Sequence, residues 1–98
     1  MYMADKKLLF NLPVLITKQG RRFVAYTPAL DISTSGKSEK EAKVRFGELA
    51  NLFLEEIVEE GTVANVLFEL GWKKVKRTWT PPKMISTQSV GFRVPLFA

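Results

Sequence analysis

Hydrophobic residues alternate with other residue types in the first third of the chain, and this pattern predicts three short strands. Apolar side chains occupy the even positions from Leu8 to Ile16, the period of two that is typical of a strand with one buried face. Residues 18–21 have the composition of a hairpin turn, and the residues from Arg22 to Thr27 favour a second strand. Pro28 then turns the chain, and the alternation from Leu30 to Ser35 predicts a third strand with a polar outer face.

Helical spacing begins after these strands. Ser38 and Glu41 form the pattern of a capping box, in which two side chains satisfy free backbone N–H groups at a helix start. The apolar residues that follow lie three and four positions apart, on one helix face: Ala42, Phe46, Leu49, Ala50, Phe53 and Ile57. We expect this helix to end before Gly61, and we expect a second helix, capped by Thr62, to end at Gly71.

The last quarter of the chain is more polar. Residues 73–79 resemble a strand only weakly, and residues 80–83 contain two prolines that require an extended loop. The stretch from Ser89 to Phe97 predicts a closing strand with these apolar residues on one face: Val90, Phe92, Val94 and Leu96. We therefore predict one α+β domain over residues 1–98, with residues 73–89 as a basic, proline-containing extension before the last strand.

The order of these elements predicts the architecture. It is a two-layer sandwich, with an antiparallel sheet in β-β-β-α-(α)-β order and the long amphipathic helix on one face. The helix would cover a single sheet face, which explains why the strands alternate instead of being apolar throughout.

The absence of histidine and cysteine excludes several kinds of chemistry. Without them the chain lacks the usual general base, the commonest metal ligand and any thiol nucleophile. Asp31 is the only acidic residue in the strand region, so we do not expect the converging carboxylates of a two-metal nuclease. We predict no enzymatic activity, no catalytic residue, no metal site and no cofactor. The sequence contains neither a long apolar run nor a signal-peptide pattern, so we expect a cytoplasmic protein without membrane association.

The order of residues from Phe23 to Ala42 resembles the signature of the HicB-like antitoxin family. An aromatic-Val-Ala strand is followed by a Pro-x-Leu turn, a short strand and a Gly-x-Ser-x-x-Glu-Ala segment that opens the helix. The matching positions are Phe23, Val24, Ala25, Pro28, Leu30, Gly36, Ser38, Glu41 and Ala42. The similarity extends over residues 9–72, and it implies a partial, non-catalytic ribonuclease H-like fold.

The same resemblance implies a partner and an assembly. Members of this family pair with the HicA toxin, a small ribonuclease that cleaves messenger RNA, and neutralise it by covering its active site. They also form homo-oligomers, here expected to be a dimer or a tetramer. Many members carry a C-terminal module that binds operator DNA, but no helix pair follows the predicted closing strand of this sequence, so we do not expect that module here.

An acidic cluster near the end of the first helix is one candidate contact surface. It contains Glu55, Glu56, Glu59 and Glu60. Such a cluster is suited to a basic toxin, because opposite charge raises the association rate and the selectivity of binding. The alternative interpretation, held equally, is an ordinary exposed helix end.

A basic stretch after the second helix is the other candidate surface. Residues 71–98 contain six of the fifteen basic residues and none of the ten acidic ones. The candidate contacts with RNA or a partner are Lys73, Lys74, Lys76, Arg77 and Trp79. Phosphates attract cations and bases stack on aromatic rings, so a nucleic-acid-binding domain is the second functional hypothesis. The alternative is a solvated strand edge with Trp72 and Trp79 packed inward.

Overall fold

The computed structural model describes residues 11–96 of the chain. It contains a three-stranded antiparallel sheet, two consecutive helices and a small two-stranded sheet. In chain order the elements are β1 (Leu15–Gln19), β2 (Arg22–Thr27), β3 (Ile32–Gly36), α1 (Glu39–Glu59), α2 (Val63–Glu69), β4 (Lys73–Val75) and β5 (Thr78–Thr80). The predicted α+β class, with a long helix packed on an antiparallel sheet, is therefore confirmed.

The larger sheet has the strand order β1-β2-β3 and directs one face toward α1. Its register aligns Ile16 with Ala25 and Ala25 with Thr34, so these three side chains share a face. On that face Ala25 is completely buried and packs with Ala42 and Phe46 of α1. The apolar stripe of the helix thus covers this side of the sheet, while the opposite side is more exposed.

The first strand is shorter than the alternation predicts. Residues 11–14 lie outside the sheet, and the predicted positions 8–10 lie outside the described residues. Pro13 accounts for the late start at Leu15, because proline has no N–H to donate to a neighbouring strand. Leu12 nevertheless packs against the core, as its even position predicts.

The third strand begins at Ile32, so the predicted start at Leu30 was wrong. Asp31 has a φ of 54°, a left-handed conformation that breaks extended geometry, and its N–H donates to the carbonyl of Thr27 at 2.9 Å. Leu30 is held in this turn and is only 2% exposed. Its apolar character reflects burial in a turn and not a strand position.

The capping box at the start of α1 is confirmed, with one difference in geometry. Ser38 is the N-cap residue, and its Oγ accepts a hydrogen bond from the N–H of Glu41 at 3.0 Å. The Glu41 carboxylate accepts from the N–H of Lys37 at 2.6 Å, one residue before the cap instead of at it. This backbone hydrogen bond, with the nearby charges of Arg45, Lys37 and Arg22, holds the pKa of Glu41 below its ordinary value.

The junction between the two helices agrees with the predicted break, except for the role of Thr62. The first helix ends at Glu59, with Glu60 as its C-cap, directly before Gly61. Thr62 occupies the N-cap position of α2, but its side chain makes no capping hydrogen bond. Its hydroxyl instead donates to the carbonyl of Ile57 at 3.5 Å, so it belongs to the end of α1.

The end of α2 anchors the helices to the sheet. The N–H of Gly71 donates to the carbonyl of Phe68, and the N–H of Trp72 donates to that of Leu67. Gly71 has a φ of 92°, which is unfavourable for residues with a side chain. As a result Trp72 folds back into the core, where it is 3% exposed and its Nε1–H donates to the carbonyl of Ala29 at 2.7 Å.

The predicted closing strand from Ser89 to Phe97 was wrong for every position that the structure describes. Residues 89–96 are not in a strand, and Phe97 lies outside the described range. The strands that follow α2 are instead β4 and β5, a separate antiparallel pair within the polar stretch. A strand requires a neighbour for its backbone hydrogen bonds, and alternation alone does not say whether the same chain supplies one.

Candidate interaction surfaces

The four predicted acidic residues lie together on the exposed side and end of α1. Glu55, Glu56, Glu59 and Glu60 are all exposed. Glu55 and Glu59 are one turn apart on one helix row, and Glu56 and Glu60 continue the neighbouring row. Within residues 11–96 none of these carboxylates forms an ion pair, and the one hydrogen bond is from Asn51 Nδ2 to Glu55 Oε2 at 3.3 Å.

A leucine that the sequence reasoning did not single out lies in the middle of this acidic region. Leu52 is 62% exposed, on the side of α1 that faces away from the sheet. Helical spacing places Glu48 one turn before it, and Glu55 and Glu56 one turn after it. We call Leu52 with Glu48, Glu55, Glu56 and Glu59 the acidic face. In the sequence, the signal for this surface was the position of Leu52, an apolar residue on the polar side of the predicted helix.

The acidic end of α1 is electrostatically unfavourable for the helix itself. The carbonyl end of a helix carries partial negative charge, so basic residues are normally stabilising there. The last turn of α1 contains no basic residue. The helix ends at Glu59, and Glu60 is its C-cap. Because negative charge at this end destabilises the helix, helix stability does not explain why carboxylates are concentrated there.

The basic candidates are brought together on the β4–β5 hairpin. Lys73 and Lys74 lie in β4, and all four basic residues are exposed. Lys76 and Arg77 form the two-residue turn, with φ values of 49° and 68°. Such turns require positive φ at both positions and normally contain Asn and Gly, so this turn is strained. The turn places the cationic side chains of Lys76 and Arg77 at the tip of the hairpin.

The two tryptophans are less available for ligands than their spacing indicates. Trp72 is buried in the core. Trp79 is half-buried, packs against the same core, and contacts the ring of Phe68 edge-on with 5.2 Å between ring centroids. Lys74 Nζ lies 5.6 Å from the ring centroid of Trp79, at a cross-strand position. The hairpin therefore offers cations with one partly covered aromatic ring.

Tyr26 and Asp31 form a polar pair at the edge of the open sheet face. The Tyr26 hydroxyl donates to Asp31 Oδ1 at 3.0 Å. This hydrogen bond, with desolvation and the carboxylate charge, raises the pKa of Tyr26 above its ordinary value. The hydrogen bond joins β2 to the turn that contains Asp31.

Residues 11–96 contain no group of three or more acidic, histidine or cysteine side chains placed to hold a metal ion. No helix in this range has the length and apolar character needed to cross a membrane. Within the described part of the chain, the acidic face and the basic hairpin are the two predicted charged surfaces.

Comparisons with known proteins add no relative: no protein-family model, curated protein or solved structure matches the chain. Membership of the HicB-like family therefore stays a prediction, based on the residue pattern from Phe23 to Ala42.

Proposed function

We propose that this protein acts by stoichiometric binding, as a HicB-like antitoxin that neutralises a small HicA-type ribonuclease by covering its active site. The observation that carries the proposal is the acidic face of α1, with exposed Leu52 among four carboxylates. A small apolar centre with a charged rim is a common composition of protein interfaces. The toxin would be a cytoplasmic partner, and the chain would function as a homo-oligomer.

The chemistry of the partner fits this surface. A ribonuclease attracts the phosphates of its substrate with basic residues, so its active-site cleft carries positive potential. Carboxylates at the exposed end of α1 would bind to that positive cleft in place of the RNA phosphates, and Leu52 would supply an apolar contact in the centre. The absence of basic residues in the last turn supports the same proposal, because helix stability alone favours the opposite charge.

A charge-reversal experiment tests the acidic face. The Glu55→Lys/Glu59→Lys double variant should slow association with the proposed HicA-type ribonuclease by about tenfold or more at low salt, with a smaller difference at high salt. Its melting temperature should not fall, because the new cations lie at the favourable end of the helix. Stopped-flow association and thermal unfolding measure the two quantities.

The matched control reverses a carboxylate outside the acidic face. Glu69 is exposed at the end of α2, so Glu69→Lys changes the net charge without altering α1. We expect near wild-type association for this variant. Glu69→Lys changes the net charge by about +2 and the double variant by about +4, so a Glu69→Lys effect half as large on the logarithm of the association rate would attribute the slowing to net charge. Unchanged association of the double variant would refute binding through the acidic face.

The second candidate function is binding of single-stranded RNA by the β4–β5 hairpin. The observation in its favour is four exposed cations on one hairpin, with Lys74 beside the ring of Trp79. Replacement of Lys73, Lys74, Lys76 and Arg77 by Ser should then abolish RNA binding, and wild-type affinity should fall steeply with salt. Affinity that is unchanged in this variant would exclude the hairpin as the RNA site.

A further inference from the structure

The chain beyond β5 first follows the end of the sheet and then leaves it. Residues 82–86 line a shallow cavity together with Pro13, Pro28 and Ala29, next to the start of β1. From Ile85, which is 87% exposed, every described residue is exposed. The Cα radius of gyration is 17.0 Å, against about 13 Å for a compact domain of this length. The terminal segment therefore extends away from the rest of the protein.

This segment has the side-chain pattern of a half-buried strand, although it pairs with no strand within residues 11–96. Its alternate apolar residues are 63–95% exposed: Val90, Phe92, Val94 and Leu96. Ser89, Gly91, Arg93 and Pro95 occupy the positions between them. Four large apolar side chains in one row are costly to leave in water, so the pattern calls for a sheet to which the segment can pair.

The larger sheet has an edge strand with which this segment could pair. Its order places β1 and β3 at the edges. At β3, the carbonyl of Ser35 already accepts a hydrogen bond from Arg45 Nη1 at 3.3 Å. The turn between β1 and β2 closes on the Gln19–Arg22 pair, and the alternation of the ladder then directs the backbone groups of Ile16 and Lys18 outward. Among the residues that the structure describes, the outer edge of β1 is therefore the more open of the two.

The two faces of an added strand would match the faces of this sheet. Val14 and Ile16 are only half-buried on the face that carries α1. An apolar row at positions 90, 92, 94 and 96 beside them would extend the core under α1. The alternate positions 89, 91 and 93 would join the open face, beside Thr17. Pro95, which has no N–H, would lie near the end of the added strand.

We infer that residues 88–96 pair with the outer edge of β1 in a second copy of this chain. The ten residues from 87 to 96 can span about 33 Å when extended, enough to reach a neighbouring molecule. Reciprocal exchange of the two segments gives a closed dimer with two-fold symmetry and covers both exposed rows. This dimer specifies the homo-oligomer of the proposed function but requires no toxin, so its failure and the failure of toxin binding are distinguishable.

The first test uses the full-length protein with one substitution on each face of the segment. Sedimentation equilibrium should give a dimer, twice the 11.1 kDa chain mass. Phe92→Ser should raise the dimer dissociation constant about tenfold or more, whereas the neighbouring Arg93→Ser should change it less than about threefold. A wild-type monomer at all concentrations, or equal effects of both variants, would overturn the inference.

The second test identifies the edge, and the absence of native cysteine makes it specific. A copy with Arg93→Cys is mixed with a size-tagged copy that carries Leu15→Cys, Thr17→Cys or Gln19→Cys, all on the open face of β1. Mild oxidation should join tagged and untagged chains for at least one of these positions, but not for Ser33→Cys on β3. Cross-linking to Ser33→Cys would overturn the choice of edge. In a chain carrying both Arg93→Cys and Thr17→Cys, cross-links only within one chain would show that the segment folds back on its own sheet.

Discussion

Replacement of Trp72 by Phe tests how the helices are attached to the sheet. Trp72 is 3% exposed, and its Nε1–H reaches the carbonyl of Ala29 at 2.7 Å, forty-three residues earlier in the chain. Phenylalanine keeps an aromatic ring but leaves that buried carbonyl without this donor, at a cost of about 1–3 kcal/mol. The smaller ring adds about 1 kcal/mol for lost packing, so the free energy of unfolding should fall by about 2–4 kcal/mol.

Urea unfolding followed by circular dichroism measures this loss without depending on tryptophan fluorescence. With a slope of about 1–2 kcal/mol per molar urea, the midpoint should fall by roughly 1–4 M. The control is Trp79→Phe, which keeps an aromatic ring beside Phe68 and should cost no more than about 1 kcal/mol. A Trp72→Phe midpoint equal to that of the wild type, or an equal loss for both variants, would refute the proposed attachment.

Three further changes test local features of the fold. Glu41→Gln should lower stability above about pH 5, and its difference from the wild type should shrink as the pH falls through the ordinary carboxyl range. The sign follows from the lowered pKa, since the ionised carboxylate is favoured in the folded state; urea unfolding across pH measures it. Gly36→Ala should cost about 1–3 kcal/mol in urea unfolding, because a Cβ there would lie 2.6 Å from the backbone nitrogen of Ala42. Lys76→Asn/Arg77→Gly should raise the melting temperature by relieving a strain of about 1–2 kcal/mol per residue, and a lower value would contradict the turn geometry.

Much of the fold follows from local pattern. The even apolar positions, the Ser38–Glu41 cap and the glycines after each helix depend on short-range geometry, which explains the agreement with the structure. The predicted strand start at Leu30 was wrong because a buried turn residue and a strand residue are equally apolar. The predicted strand after Ser89 was wrong for another reason. Alternation reveals a preference for pairing but does not identify the partner strand.

The interaction surfaces were only partly predictable from sequence. The acidic residues and the basic residues of the hairpin are visible in the sequence as charge clusters. The roles of the tryptophans are not visible there, because they depend on tertiary contacts: Trp72 with Ala29, and Trp79 with Phe68. Leu52 was hidden because one exposed leucine is ordinary on a protein surface. Its position among four carboxylates becomes apparent only when the buried face of α1 is known.

The most direct test of the central claim is titration of the protein into an RNA cleavage assay with the product of the adjacent gene, which the proposal expects to be a small ribonuclease. Stoichiometric binding predicts that cleavage falls linearly with added protein and stops at a fixed ratio of the two chains. The Glu55→Lys/Glu59→Lys variant should require a clear excess, while Glu69→Lys should behave as the wild type. Full cleavage in the presence of excess wild-type protein would contradict the antitoxin function.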